Sequence, residues 1–324
     1  MQIHDKIYGT ITVETPVIQD LINSKPMQRL KHIDQHGAHQ YISPNKCISR
    51  FDHSVGAWYL SAKFNRPIAE QIASLLHDIP HTAFSHVIDI VMNDPKHEYH
   101  DRFFEKIIRQ SEIPEILAKH HLSLDAVLDK KAYPLLNNDL PDISVDRWDY
   151  FMRDGYVYEM FPIETVQLFL SAMFEKDEKF YFNDIRIANQ FAVLFMNCSR
   201  LLWLDPVSHG SFFILATVIK TSLEKGYITD MDCFTTDDEL MQKIRDAKDG
   251  ELNKQLDRLT PGLHFEYTTK EDAEFSGMNK PRYVDPWVMK DGKLVHLSSI
   301  NRVLKQYFEA YKKDFRQLHV KEVH

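Results

Sequence analysis

Cysteine is scarce in this chain: Cys47, Cys198 and Cys233 are its only three in 324 residues, they lie far apart, and no CxxC pair occurs. An odd and dispersed set excludes a disulfide framework and a thiolate zinc site, and it fits a reducing compartment, so a cytoplasmic location is expected. A long apolar run is also missing. The longest, around residues 212–219, is far too short to span a bilayer, and no secretory signal pattern opens MQIHDKIYG, so no membrane partner is expected. Excess positive charge is absent too: 39 Lys and Arg stand against 47 Asp and Glu, a net charge of −8. That balance argues against a broad nucleic-acid surface while leaving room for a local basic pocket. Internal repeats and low-complexity tracts do not occur. What is present is apolar mass, 44% of residues with 12% aromatic, enough for a large ordered core. Histidine is plentiful at 17 residues, although number alone decides nothing.

Helical periodicity dominates the chain. Pro67 opens PIAEQIASLLHDI, in which Ile68, Ile72, Leu75 and Leu76 recur at helical spacing, with proline in its favoured first turn. Pro80 breaks that helix, and another is expected from Thr82 to Val91, which leaves His77 and Asp78 at a helix junction. Further helices are predicted over 97–110, 144–154, 163–174, 185–203 and 208–224, and the charged run DDELMQKIRDAKDGELNKQLDR reads as a solvated helix pair. From about residue 260 the pattern changes. HFEYTTK, and PRYVDPWVM followed by KDGKLVHL, read as strands with Asp291-Gly292 as a hairpin turn. Ser298 or Ser299 then caps a closing amphipathic helix carrying Val303, Leu304, Tyr307 and Phe308. The expected fold class is mainly α: a helical catalytic domain over 1–259 with a small α+β region, 260–324, packed on it.

Four residues carry the chemistry: His53 in RFDHSVG, His77 and Asp78 in LLHDIPHTAFSH, and Asp146 in SVDRWDYFMRD. Two imidazoles and two carboxylates suit a divalent transition metal with positions left open for water and substrate, which points to metal-assisted hydrolysis. Adjacent helical residues point about a hundred degrees apart, so His77 and Asp78 reach one ion only near a helix end or kink. Pro80 supplies that kink. Asp146, Asp149, Tyr150 and Arg153 fall at i, i+3, i+4 and i+7, so one face presents acid, phenol and guanidinium together, either as an active-site wall or as a salt-bridged core face. A lone histidine or aspartate of this kind usually completes a core. The ordered set with its flanking words reads differently.

Those words, HDKIYGTITV, MQRLKHIDQHG, SRFDHSVG, LLHDIPHTAFSH and VDRWDYFMRD in that order over roughly residues 1–155, resemble the HD superfamily of metal-dependent phosphohydrolases. Within it they resemble the dNTP triphosphohydrolase branch that includes the sterile-alpha-motif-and-HD-domain enzyme. The resemblance implies an HD-domain helical bundle and a divalent cation (Mn, Mg, Fe, Zn or Ni) held by His53, His77, Asp78 and Asp146, with metal-bound water as the nucleophile. It implies a catalytic group of His81, His86, Asp89 and His97, in which His86, held by Asp89, protonates the leaving oxygen. Arg50 and Arg147 would meet the phosphate chain, and Gln35, Tyr150 and Asp154 would hold the sugar. Arg153 is balanced between such a role and a helix ion pair. The leading reaction implied is dNTP to deoxynucleoside plus triphosphate. Hydrolysis of another phosphoester, such as a nucleoside monophosphate or cyclic nucleotide, and nucleotide sensing without turnover are the alternatives. The expected partners are a nucleotide substrate and further copies of the chain, as a homodimer or higher.

Departures from the pattern cluster at the substrate. An apolar residue that packs against the ribose ring in mammalian members is His36 here, a sugar-facing tyrosine is Val207, and of a basic helix at the terminal phosphates only Arg200 remains in CSRLLWLDPVSH. Fewer cations suit fewer phosphates. The turn of many relatives, HDIGH, is HDIPH in this chain. Asn23, Arg29 and Lys31 lie in the region that relatives use for an activating nucleotide.

Overall fold

A computed structural model describes residues 1–94, 99–136, 138–278, 282–314 and 317–323. Its centre is the Arg50–Lys63 helix, whose first turn is capped by Ser49 accepting the Asp52 N–H at 3.0 Å. The Ile68–Leu76 and Val145–Val157 helices pack on either side of it. Phe51, Val55, Trp58 and Leu60 from the first helix, Ile72, Leu75 and Leu76 from the second, and Trp148, Phe151 and Met152 from the third share one buried core. Close approach between the first and third requires Gly56, because a side-chain carbon there would collide with the Asp149 carboxylate.

The Ile68–Leu76 helix ends as Pro80 requires, with His77 at its C-cap. The next helix forms only over Val87–Val91 and not from Thr82. Phe84 and Ser85 have φ of 59° and 52°, a left-handed turn that no right-handed helix accommodates. Asp237 anchors this turn. Its carboxylate, 3% exposed at the head of the Asp237–Asp246 helix, accepts the Phe84 N–H at 2.7 Å, the Asp34 N–H at 2.9 Å and the Gln40 side-chain amide at 2.8 Å. The charged run therefore forms its two helices, Asp237–Asp246 and Gly250–Leu256, but its first acid faces the core and not solvent. Asp237→Ala strips three donors of one acceptor, so urea unfolding should show a loss of about 3 kcal/mol. A loss under about 1 kcal/mol would mean that the turn is held by other contacts.

Of the helix predicted over 97–110, the described part begins as a tight turn at His100–Phe103 and continues as Phe104–Gln110. The 163–174 helix stops at Ala172 because Met173–Lys176 pairs antiparallel with Lys179–Phe182, a hairpin with no clear sequence pattern. Lys179–Phe182 in turn pairs in parallel with Trp287–Lys290, which meets Lys293–His296 across the Asp291-Gly292 turn, as expected. The strand in PRYVDPWVM begins only at Trp287, after Pro286, which has no N–H to give a ladder. Gln317–Glu322 pairs with both Phe265–Tyr267 and Phe275–Met278. The closing helix spans Arg302–Asp314 and is capped by Asn301, whose side chain accepts the Leu304 N–H at 3.0 Å. Ser298 and Ser299 instead sit in the short Leu297–Ile300 helix before it. Leu304, Phe308 and Leu318 enter the same core as Phe151 and Phe191. At the other end, Gln2–Asp5 and Gly9–Thr12 form a second unforeseen hairpin. Among the described residues no single helix is long and apolar enough to cross a membrane.

Candidate metal centre

Three segments converge on one point. His53 comes from the first turn of Arg50–Lys63, His77 and Asp78 from the end of Ile68–Leu76, and Asp146 from the first turn of Val145–Val157, which Ser144 caps. His53 Nε2 lies 3.1 Å from Asp146 Oδ1 and 3.2 Å from His77 Nε2. His77 Nε2 lies 3.4 Å from Asp78 Oδ1 and 3.6 Å from Asp146 Oδ1. On the far side of each ring, His53 Nδ1–H donates to Asp149 Oδ2 at 2.8 Å and His77 Nδ1–H donates to the Ser74 carbonyl at 2.8 Å. These bonds fix the tautomers, so both Nε2 lone pairs face the same point. Two lone pairs at that spacing, flanked by two carboxylates, repel one another unless positive charge lies among them. Burial alone would push the His53 imidazole down, yet hydrogen bonds to Asp146 and Asp149 carry it up to about 10. Burial likewise opposes ionisation of Asp78 and Asp146. Arg50 and His77 hold Asp78, and His53 and His77 hold Asp146, well below the usual carboxylate range. His53, His77 and Asp146 are close enough to hold one ion, with Asp78 beside His77, and the set of two imidazoles and two carboxylates fits a divalent cation.

Asp149 is braced from behind. Arg153 donates Nε and Nη2 to its two oxygens at 3.0 and 2.9 Å, the Tyr8 hydroxyl donates at 2.7 Å, and Arg153 Nη1 reaches Asp5 Oδ2 at 2.9 Å. The helix face expected to present one wall is therefore divided. Asp146, Arg147, Tyr150 and Asp154 line a cavity of about 720 Å³, whereas Asp149 and Arg153 turn into the core, and Arg153 belongs to an ion pair. The cavity size is ordinary for a small-molecule site.

Histidines continue from the metal set along this cavity. His81 is 2% exposed, its Nε2 lies 3.3 Å from Asp78 Oδ1, and its Nδ1 is buried with no hydrogen-bond partner. His86 Nδ1 lies 2.7 Å from Asp89 Oδ2. Burial pushes His86 down to about 4, with Asp89 opposing that shift and Arg50 and His100 adding to it. His97 lies outside the described residues. The structure brings His100 into the cluster, stacked on the His81 ring at 3.7 Å and edge-on to His86 at 5.8 Å. Its signal was in KHEYHD, where two histidines stand one helical turn apart.

The predicted cations are held within the protein. Arg50 donates to Asp78 Oδ2 at 2.8 Å and to Ser85 Oγ at 3.0 Å. Arg147 donates to the Asn138 side chain at 2.9 Å and to the Asp142 carbonyl. Arg200 reaches the Tyr307 hydroxyl at 3.3 Å. Arg282, which sequence reasoning missed, lies 5.9 Å from the Tyr150 ring. Tyr150 meets Trp203 edge-on at 5.2 Å. Gln35 lines the cavity with its Oε1 buried and unpartnered. Asp154, 1% exposed, accepts from His36 Nε2 at 3.0 Å and from Trp203 Nε1 at 2.7 Å. Val207 opens the Pro206–Glu224 helix, where its N–H is taken by Asp205. Of the early residues, Asn23 ends the Pro16–Ile22 helix, Lys31 lies over the Phe51 ring at 4.6 Å, and Arg29 donates to the carbonyls of Ile79, His81, Phe234 and Thr235. Arg29 thus braces the turn after His77 and Asp78.

Residues 50–154 match the HD domain family, a span that contains all four residues of the metal set. Over its length the chain is 33% identical to the uncharacterized protein YdhJ of Bacillus subtilis, with 99% of each chain covered. It is 29% identical to the metal-dependent phosphohydrolase cns2 of Cordyceps militaris over 90% of this chain and 86% of that one. The human deoxynucleoside triphosphate triphosphohydrolase SAMHD1 is 27% identical over 47% of this chain and 32% of its own length. A metal-ligating geometry inside an HD match, together with likeness running the length of the chain, shows an enzyme that uses a divalent cation and belongs to the HD family of metal-dependent phosphohydrolases.

Proposed function

We propose that this phosphohydrolase acts on nucleotides and cleaves at the phosphorus nearest the sugar, so that the phosphate chain leaves in one piece. From a dNTP the products are deoxynucleoside and triphosphate, the reaction that the SAMHD1 likeness supports. The observation that carries the nucleotide reading is the length and lining of the Val145–Val157 wall. From Asp146 at the metal set, through Tyr150, to Asp154 beside His36 and Trp203 is two helical turns, about 12 Å. That distance separates a phosphate-processing end from an aromatic, hydrogen-bonding end, as a nucleotide requires.

His53, His77, Asp78 and Asp146 would hold the divalent cation, which would supply Lewis-acid charge and lower the pKa of water. The chain's own residues do the rest. Asp149 and the Ser74 carbonyl hold the imidazole tautomers. As the bond from phosphorus to the water oxygen forms and the bond to the sugar oxygen breaks, His86 gives a proton from Nε2 to the departing oxygen, while Asp89 steadies the ring through Nδ1. His81 and His100 wall the phosphate side. A second reading, a substrate with a shorter phosphate chain, is favoured by the internal commitments of Arg50 and Arg147. Incubation with Mn or Mg and a panel of nucleoside mono-, di- and triphosphates, followed by product analysis, should show nucleoside together with an intact phosphate chain. Release of pyrophosphate plus nucleoside monophosphate from a triphosphate would overturn the cleavage site.

A further inference from the structure

We infer that the enzyme selects ribonucleotides over 2′-deoxyribonucleotides, with His36 reading the 2′-hydroxyl. This rests on the nucleotide reading above and on its cleavage site, and departs from the deoxynucleotide reaction in the sugar that the site takes. Between the metal end and the Trp203 end of the cavity, two consecutive residues, Gln35 and His36, line the wall. Gln35 is partly exposed on that wall, with its Oε1 buried behind and without a partner. His36 spends Nε2 on Asp154 and makes no hydrogen bond through Nδ1 among the described residues. Two adjacent hydrogen-bonding positions on one wall match a vicinal diol, which ribose has and 2′-deoxyribose lacks.

Asp154 does not compete for that role. It is 1% exposed, and its two oxygens are each taken, by His36 and by Trp203. The hydrogen-bonding function of this carboxylate toward the cavity therefore passes to the imidazole in front of it.

The imidazole is held from several directions. The His36 N–H donates to Asp34 Oδ1 at 2.7 Å, Tyr158 meets the ring edge-on at 5.2 Å, and the chain turns sharply at Gly37, where φ is 50° and a side chain would collide with the Phe84 carbonyl. A ring so fixed reads one atom position and does not adapt to several. Burial would push His36 down, but Asp154 and Asp34 outweigh it and hold the ring above its ordinary value. In the neutral ring Nδ1 accepts from a hydroxyl, and in the charged ring it donates to the hydroxyl oxygen, so the contact survives either state.

The test compares kcat/KM for ATP with dATP, and for AMP with dAMP, in the Mn-loaded parent and in H36L and H36Q, with p-nitrophenyl phosphate as a substrate that has no sugar. The parent should favour the ribonucleotide of whichever pair it hydrolyses by at least about tenfold, because a site built around a hydroxyl rejects the analogue lacking it. H36L removes the reader and frees Asp154, and should bring the ratio to about one. Should H36L not fold, H36Q, whose amide takes the Nε2 position against Asp154 and leaves no polar atom at the Nδ1 position, should still lower the ratio several-fold. A parent ratio of one or below, or an unchanged ratio in the folded variant, overturns the inference while leaving the nucleotide reading standing. Turnover of p-nitrophenyl phosphate with none of any nucleotide overturns both.

Discussion

An Asp146→Ala or His77→Ala enzyme should emerge from mild purification without its divalent cation and without phosphohydrolase activity. Each substitution removes one of the four side chains proposed to hold the ion, and the loss in affinity should exceed the factor of about 10–100 that even an outer-shell partner of a metal ligand commands. The two variants should also differ in a readable way. Asp146→Ala removes a carboxylate that sits 3.1 Å from His53 and 3.6 Å from His77, so the site loses negative charge. His77→Ala leaves both carboxylates in place and removes only an imidazole. Metal analysis alongside activity decides the matter: full occupancy in both variants would place the centre elsewhere.

His86→Ala should lower turnover of a sugar phosphoester by about 10²–10⁴ while leaving p-nitrophenyl phosphate nearly unchanged, since a good leaving group needs no proton. The pH dependence follows from the surroundings of the ring. With His86 held at about 4 in the substrate-free protein, its protonated fraction falls about tenfold for each pH unit above that value. The kcat/KM of the sugar ester should therefore fall as pH rises over that limb. Bound phosphate adds negative charge beside the ring and favours the imidazolium, so the corresponding limb in kcat should lie at higher pH. Equal losses on both substrates would remove His86 from the proton-transfer step.

The convergence of His53, His77, Asp78 and Asp146 was legible because its signals are local. A helix end beside Pro80, a Ser-capped helix start before Asp146 and a histidine one turn into another capped helix are each set by neighbours in sequence. The histidine cluster was only partly legible. KHEYHD offers two candidates, and among the described residues the ring that meets His81 and His86 is His100, which spacing alone does not single out. Arg50 and Arg147 illustrate a different limit. Their charge is visible in the sequence, but their partners, Asp78 and the 138–142 loop, depend on tertiary placement. The two unforeseen hairpins are four-residue strands with mixed polarity, too short for alternation to stand out. The turn at Phe84 and Ser85 was hidden because its anchor, Asp237, lies some 150 residues away.

The N-terminal hairpin bears on when the enzyme becomes competent during its own synthesis. Tyr8 reaches Asp149 across 141 residues of chain, and Asp5 meets Arg153 across 148. Until both contacts close, Asp149 has Arg153 of its own helix behind it but not Tyr8, and Arg153 lacks Asp5. Contacts that join such distant segments carry a large loop-closure cost and form slowly. A nascent chain that has released His53, His77 and Asp78 from the ribosome thus has three of the four converging side chains but neither Asp146 nor the brace behind His53. Competence waits for the Val145–Val157 helix to emerge and meet residues made some 140 positions earlier.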